Sequence, residues 1–190
     1  MITMPRAVAA AGQAAHHHSG FFAGFDWSNG ATIIAAFLAA VIAVVGYSIQ
    51  RKNTRRSERA TLYGNAIGAV EAYVEGAYRI RRKTNDPNNW FALSSALSDA
   101  KTAISHHHAL LEMHAPVDVT AAYKAFADAA IREAGPQMTA AWGTPPTTQP
   151  TDVPLGTGYD RTDSDDKRKT LVAAMATDLK AIGTWWRLGR

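Results

Sequence analysis

ATIIAAFLAAVIAVVGYSI, residues 31–49, decides the architecture, and QRKNTRRSER, residues 50–59, decides how it is placed. No charged residue occurs from Trp27 to Gln50. Nineteen helical residues rise about 1.5 Å each, close to the roughly 30 Å of hydrocarbon in a bilayer. A core helix of a soluble protein is rarely apolar around its whole circumference with a basic cluster against one end. We therefore expect a transmembrane helix over 31–50, preceded by an exterior tail, 1–30. Phe21, Phe22, Phe25 and Trp27 on one side and Tyr47 on the other are the amphipathic rings favoured at membrane–water interfaces.

The charge balance gives the orientation. The chain of 190 residues carries a net charge of +4. The excess sits in 51–59, where Arg51, Lys52, Arg55, Arg56 and Arg59 face a single acid, Glu58. The preceding thirty residues offer only Arg6 and Asp26. The positive-inside rule then puts the C-terminal side in the cytoplasm, and the basic juxtamembrane segment 51–59 is drawn to the anionic inner leaflet. A cleaved signal peptide would carry its positive charge before the apolar stretch. The rest of the chain is neutral and has no aromatic-basic platform, so no nucleic-acid partner is expected. With no cysteine there is no disulfide framework, thiolate metal site or cysteine nucleophile. Ala35, Ala39 and Ala43 at four-residue spacing allow close helix approach in lipid, a weak pointer to self-association.

Beyond the basic segment the pattern is helical, with almost no strand signal. Leu62, Ala66, Ala69, Tyr73, Ala77 and Ile80 form one stripe, with Glu71, Glu75 and Arg79 on the opposite faces and Glu75–Arg79 a favourable four-apart pair. TNDPNN (84–89) ends it. Trp90, Leu93, Leu97, Ala100, Ile104, His107, Leu111 and His114 form a second stripe, which stops before Ala115-Pro116. Val119, Ala122, Tyr123, Phe126, Ala130, Met138, Ala141 and Trp142 form a third, which Pro136 is expected to kink or split. Residues 143–163, with four prolines and three glycines, read as an extended linker. Ser164 reads as the cap of a last amphipathic helix, 164–187, with Leu171, Met175, Leu179, Ile182 and Trp186 on one face. The expected class is all-α: one N-terminal transmembrane helix, then a cytoplasmic antiparallel bundle of three to four helices, with 57–142 as its body.

YGNAIGAVEAYVEGAYRIRRK (63–83), the helix around HHHALL (106–111) and YKAFADAAIREAGPQMTAAWGTPP (123–146) carry a resemblance. Over roughly 30–146 the chain resembles small single-pass membrane proteins of actinobacteria and their phages. The resemblance implies the topology and supplies no activity.

Two groups of side chains are chemically noticeable. His106, His107, His108 and His114 share the second helix with Glu112, but His107 and His114 lie about 10 Å apart along it, too far for one metal ion. They are read as buried histidines hydrogen-bonded to neighbouring helices. His16, His17 and His18 lie where structure signals are poor. Glu71, Glu75, Arg79, Arg81, Arg82 and Lys83, joined by His107 and by Arg132 and Glu133 of the third helix, make a possible polar site, more simply read as a solvated face with interhelical ion pairs. No phosphate loop, nucleophile elbow or paired-carboxylate motif occurs, so no catalysis, cofactor or metal is expected. The expected function is a membrane-anchored interaction or scaffold protein that binds an unidentified protein partner or itself. The alternative is a membrane-active effector, such as a phage exclusion or lysis accessory factor. The C-terminal TWWRLGR adds Trp185 and Trp186 as residues that return to the inner membrane interface, if the last helix runs back toward the bilayer.

Overall fold

The computed structural model describes residues 27–152 and 158–183. Within them there are four α-helices and no strand: α1 (Trp27–Arg81), α2 (Pro87–His114), α3 (Val117–Gly143) and α4 (Thr162–Gly183), with a 3-10 turn at Pro150–Asp152. The chain divides into two compact units, 1–47 and 48–190.

In the first unit the described residues are helical, and α1 contains a stretch long and apolar enough to cross a membrane. Every residue from 32 to 47 is exposed, with Ile34 at 70% and Phe37 at 72%. None of the most apolar window of this helix is buried.

The second unit is built on one apolar core. α1 supplies Tyr63, Ala66, Val70, Tyr73, Val74, Ala77 and Ile80, α3 supplies Val119, Tyr123, Phe126, Ala130, Ala134 and Ala141, α2 adds Ala100, Ile104 and Leu111, and α4 adds Leu171 and Met175. The alanines let helix backbones approach closely. Closest of all is Gly76, where an added Cβ would sit 2.3 Å from Leu97 Cδ2 and 3.2 Å from Met138 Cε.

The helix ends follow from local chemistry. α2 starts at Pro87, with the Asp86 carboxylate accepting from the Asn88 amide at 2.9 Å. It stops at His114 because Ala115, before Pro116, is extended.

Several expectations need correction. The basic residues 51–59 belong to α1 and form no separate segment between helices. Tyr63 is buried, whereas Leu62 only borders the core. The second stripe is shorter than expected: Trp90 and His114 are exposed, so the core-facing run ends at Leu111. α3 is continuous through Pro136, which therefore does not split it. Proline removes one amide, and here its ring lies on an exposed position.

Residues 143–163 are more than a spacer. The Thr147 amide donates to the Lys83 carbonyl at 2.8 Å, and Tyr159 stacks on Tyr78 at 5.5 Å. This strap is thus tied near one end to the turn that follows α1 and near the other to α1 itself. Ser164 is not the cap of α4: the helix begins at Thr162, whose amide is held by Asp160, and Ser164 is fully buried with its hydroxyl on the Arg161 carbonyl. The last helix was expected over 164–187; of that range, 184–187 lie outside the described residues.

Candidate functional site

The polar side chains concentrate where α4 starts. Glu133 of α3 aims its carboxylate at the N-terminus of α4, accepting from the Asp163 amide at 3.0 Å and the Ser164 amide at 3.2 Å. A helix N-terminus has unsatisfied amides and partial positive charge, so a carboxylate from another helix caps it. Beside it Arg132 pairs with Asp163 at 2.7 Å. Arg161, just before α4, donates to both oxygens of Glu71 on α1, at 2.9 and 3.2 Å, and Arg168 reaches the same carboxylate at 3.8 Å. Glu71, Arg132, Glu133, Arg161 and Asp163 therefore join α1, α3 and α4. Tyr159 closes this corner with its hydroxyl toward the Val74 carbonyl at 3.4 Å, and burial pushes its pKa up to about 12.

Of the expected polar site, the fold brings Glu71, Arg132 and Glu133 into this corner. Glu75 pairs instead with Arg82 at 2.7 Å, two turns on, in place of the expected four-apart partner Arg79, which is exposed. His107 lies on α2 and takes no part in these pairs.

The histidines differ from one another. His106 and His114 are exposed. His108 lies along the Tyr123 ring, centroids 6.1 Å apart, with Nδ1 3.7 Å from Glu112. His107 buries Nδ1 without a hydrogen-bond partner, so the expected bond to a neighbouring helix is not made. Burial, with the adjacent His106, moves its pKa below the ordinary histidine value. Among the described residues no group of three or more His, Cys, Asp or Glu is placed to hold a metal ion.

No family model, curated protein or solved structure matches this chain. Its chemistry has to be read from its own residues.

At the opposite end of α4, Asp178 accepts from the Tyr63 hydroxyl at 2.6 Å and from Arg59 at 3.1 Å. Arg59 was expected to face the membrane with Arg51, Lys52, Arg55 and Arg56, but is used inside the bundle. Arg51, Arg55 and Arg56 are exposed, while Lys52 is half-buried. Phe21, Phe22, Trp185 and Trp186 lie outside the described residues, as does the side chain of Trp27.

Lys83, expected with its neighbours on a solvated polar face, is buried instead. Its residue is only 2% exposed, and Nζ donates to the Ala141 and Thr144 carbonyls at 2.6 and 2.5 Å. The lysine thus satisfies the last carbonyls of α3, and burial lowers its pKa. Next to it a cavity of about 650 Å³ opens among Arg81, Ala140, Thr144, Pro146, Asp152 and Gly158. Asp152 is committed to the strap: the Thr148 and Gln149 amides both donate to it at 2.8 Å and hold its pKa down. Residues 153–157 connect two of the lining positions and lie outside the described residues.

Proposed function

We propose that the protein is a membrane-anchored helical interaction or scaffold protein without catalytic activity. The apolar part of α1 crosses the bilayer, the N-terminus lies outside, and the helical unit stands in the cytoplasm and docks a protein partner or a second copy. The observation that carries this reading is the exposure of every residue of the apolar stretch 32–47, which only lipid or another apolar helix would cover. Their orientation follows from Arg51, Lys52, Arg55 and Arg56 at the far end of the span. These residues would meet anionic headgroups at about 1 kcal/mol each.

The helices are read as alternating in direction. Leu97 meets Gly76, and Lys101 stands over Tyr73 three residues earlier on α1. Likewise Arg161 meets Glu71, and Asp178 meets Arg59. Three polar groups that could suggest chemistry are used in holding the fold together: Glu133 caps α4, Lys83 caps α3, and Glu71 holds Arg161.

A reporter active only outside the cell, fused after Arg190, should be silent, and fused before Phe21 should be active. The reverse pattern would overturn the orientation. Crosslinking in native membranes, followed by mass spectrometry, should recover one recurrent partner or the chain itself. Rapid membrane depolarisation on expression that survives deletion of 57–190 would replace this reading with that of a membrane-active effector.

A further inference from the structure

The described side-chain N and O atoms that are buried without a hydrogen-bond partner are His107 Nδ1 and Arg161 Nε. Arg161 is otherwise engaged by Glu71. His107 has no such explanation. It lies on α2 between two core residues, Ile104 and Leu111, at the centre of the seam that holds α2 to the bundle. A neutral imidazole in this position leaves a lone pair unsatisfied. A protonated one places an N–H and a charge there with no acceptor, which is worse.

Nothing on the facing stretches compensates. On α3 the Tyr123 hydroxyl is committed to the Ile104 carbonyl at 3.3 Å, Lys124 and Asp128 pair with each other at 2.6 Å, and Asp118 is exposed. On α1 the charged groups of the matching stretch are Arg59 and Glu71, both engaged by α4, and Tyr63 is held by Asp178. On α2 itself, His106 lies edge-on at 5.4 Å, where its protonation adds like charge. The Glu112 carboxylate is directed at His108, and Lys101 stands over Tyr73.

We propose that α2 is a pH-responsive element, in which protonation of His107 favours states with α2 loosened from α1 and α3. This rests on the helical unit alone and stands whether or not the chain is membrane-anchored. The direction of the effect is fixed by linkage. Burial lowers the histidine's pKa in the closed state, so the loosened state, with an ordinary value near 6.5, binds the proton more readily. Closure is therefore strongest above that value and weakens as pH falls through it. If the closed state takes up no proton, the opening equilibrium rises about tenfold from pH 7.5 to 5.5. Carboxylates, with ordinary values near 4, remain ionised across that interval.

Amide exchange of residues 97–111 in the full chain in detergent micelles, corrected for intrinsic rates, reads this opening directly. The wild type should lose several-fold to tenfold protection from pH 7.5 to 5.5. His107→Gln, which cannot titrate, should abolish the difference between the two pH values whatever its absolute protection. His114→Gln, at an exposed site, should keep it. Equal wild-type protection at both pH values, or a pH effect that persists in H107Q, overturns the proposal. An NMR titration of the His107 ring in the wild type gives a second check that needs no variant: a midpoint below 6.5 is expected, and one at or above it overturns the proposal.

Discussion

Three glycines of α1 offer a test of the packing in which each serves as a control for the others. A Cβ added at Gly64 or Gly68 meets nothing within 4 Å. Alanine there removes backbone freedom from the unfolded chain and should stabilise by about 1 kcal/mol per site. At Gly76 the same Cβ would lie 2.3 Å from Leu97 Cδ2, more than 1 Å inside the about 3.5–4.0 Å optimum for two carbons. Leu97 is half-buried, so it has some room to rotate, yet Met138 Cε at 3.2 Å blocks part of that room. Such overpacking costs about 1–3 kcal/mol. Set against the same propensity gain, Gly76→Ala should come out between neutral and about 2 kcal/mol destabilised. The informative number is its difference from Gly68→Ala, about 1–3 kcal/mol, or roughly 3–10 °C in melting temperature for a unit of this size. Thermal and urea unfolding of the full chain in detergent micelles, followed by circular dichroism, would measure it. Leu97→Ala should absorb the clash, so the G76A/L97A pair should be more stable than the sum of the singles by about 1 kcal/mol or more. If Gly76→Ala stabilises as much as Gly68→Ala, or the double mutant shows no coupling, α1 and α2 do not cross at this glycine.

The helix-end bonds give further expectations. Glu133→Ala should cost about 1–2 kcal/mol in urea unfolding by leaving the first amides of α4 unbonded, whereas Asp128→Ala, in an exposed pair with Lys124, should change stability by under about 0.5 kcal/mol. Lys83→Met keeps the aliphatic stem but frees the Ala141 and Thr144 carbonyls, and should destabilise by about 1–3 kcal/mol; no loss would mean that water replaces the ammonium at no cost. Tyr159 has a folded pKa raised to about 12 against about 10 unfolded, so its contribution is complete below pH 10 and is lost as pH rises to 12. Denaturation midpoints at pH 9 and 11 should fall less for Tyr159→Phe than for the wild type, and an equal fall would show that its hydroxyl does not ionise late.

What the sequence made legible was whatever repeats along one helix. The span needs only nineteen uncharged apolar residues in a row, and the stripe Ala66, Ala69, Tyr73, Ala77, Ile80 needs only a helical period; both can be counted. α2 stopped at His114 because of a steric rule about Pro116 that acts on the residue before it. Of the two outcomes expected at Pro136, the split does not occur, because one missing amide does not end a helix whose buried face continues past it to Met138 and Ala141. The second stripe was extended too far: Trp90 and His114 keep the spacing of the core positions but lie at the two ends of α2, where neighbouring helices no longer cover it.

The polar corner was legible only in part, in Glu71, Arg132 and Glu133, for a different physical reason. The one pairing predicted residue by residue, Glu75 with Arg79, joined positions four apart, because those are the neighbours that helix geometry guarantees, while the interhelical pairs expected with Arg132 and Glu133 could be given no partners. The bonds that form it are long-range: Glu71 to Arg161 across 90 residues, Arg132 to Asp163 across 31, Glu133 to the α4 amides across 30. Nothing local in Glu133 marks it as a cap, since its partners are backbone amides, which carry no residue identity. Lys83 is the extreme case. In a run of Arg81, Arg82 and Lys83 it reads as one more solvated cation, and what singles it out is the meeting, across 58 residues, with the end of α3. The same reasoning bears on His107. Its spacing placed it correctly on the core-facing side of α2, but spacing says nothing about whether a partner arrives. A half-buried histidine at an interhelical seam with no acceptor is a local conflict that the rest of the fold must outweigh, and such conflicts point to function more often than satisfied positions do. That makes the titration of this one ring more informative than further alanine substitutions in the polar corner, where Glu71, Arg132, Glu133 and Asp163 already have partners.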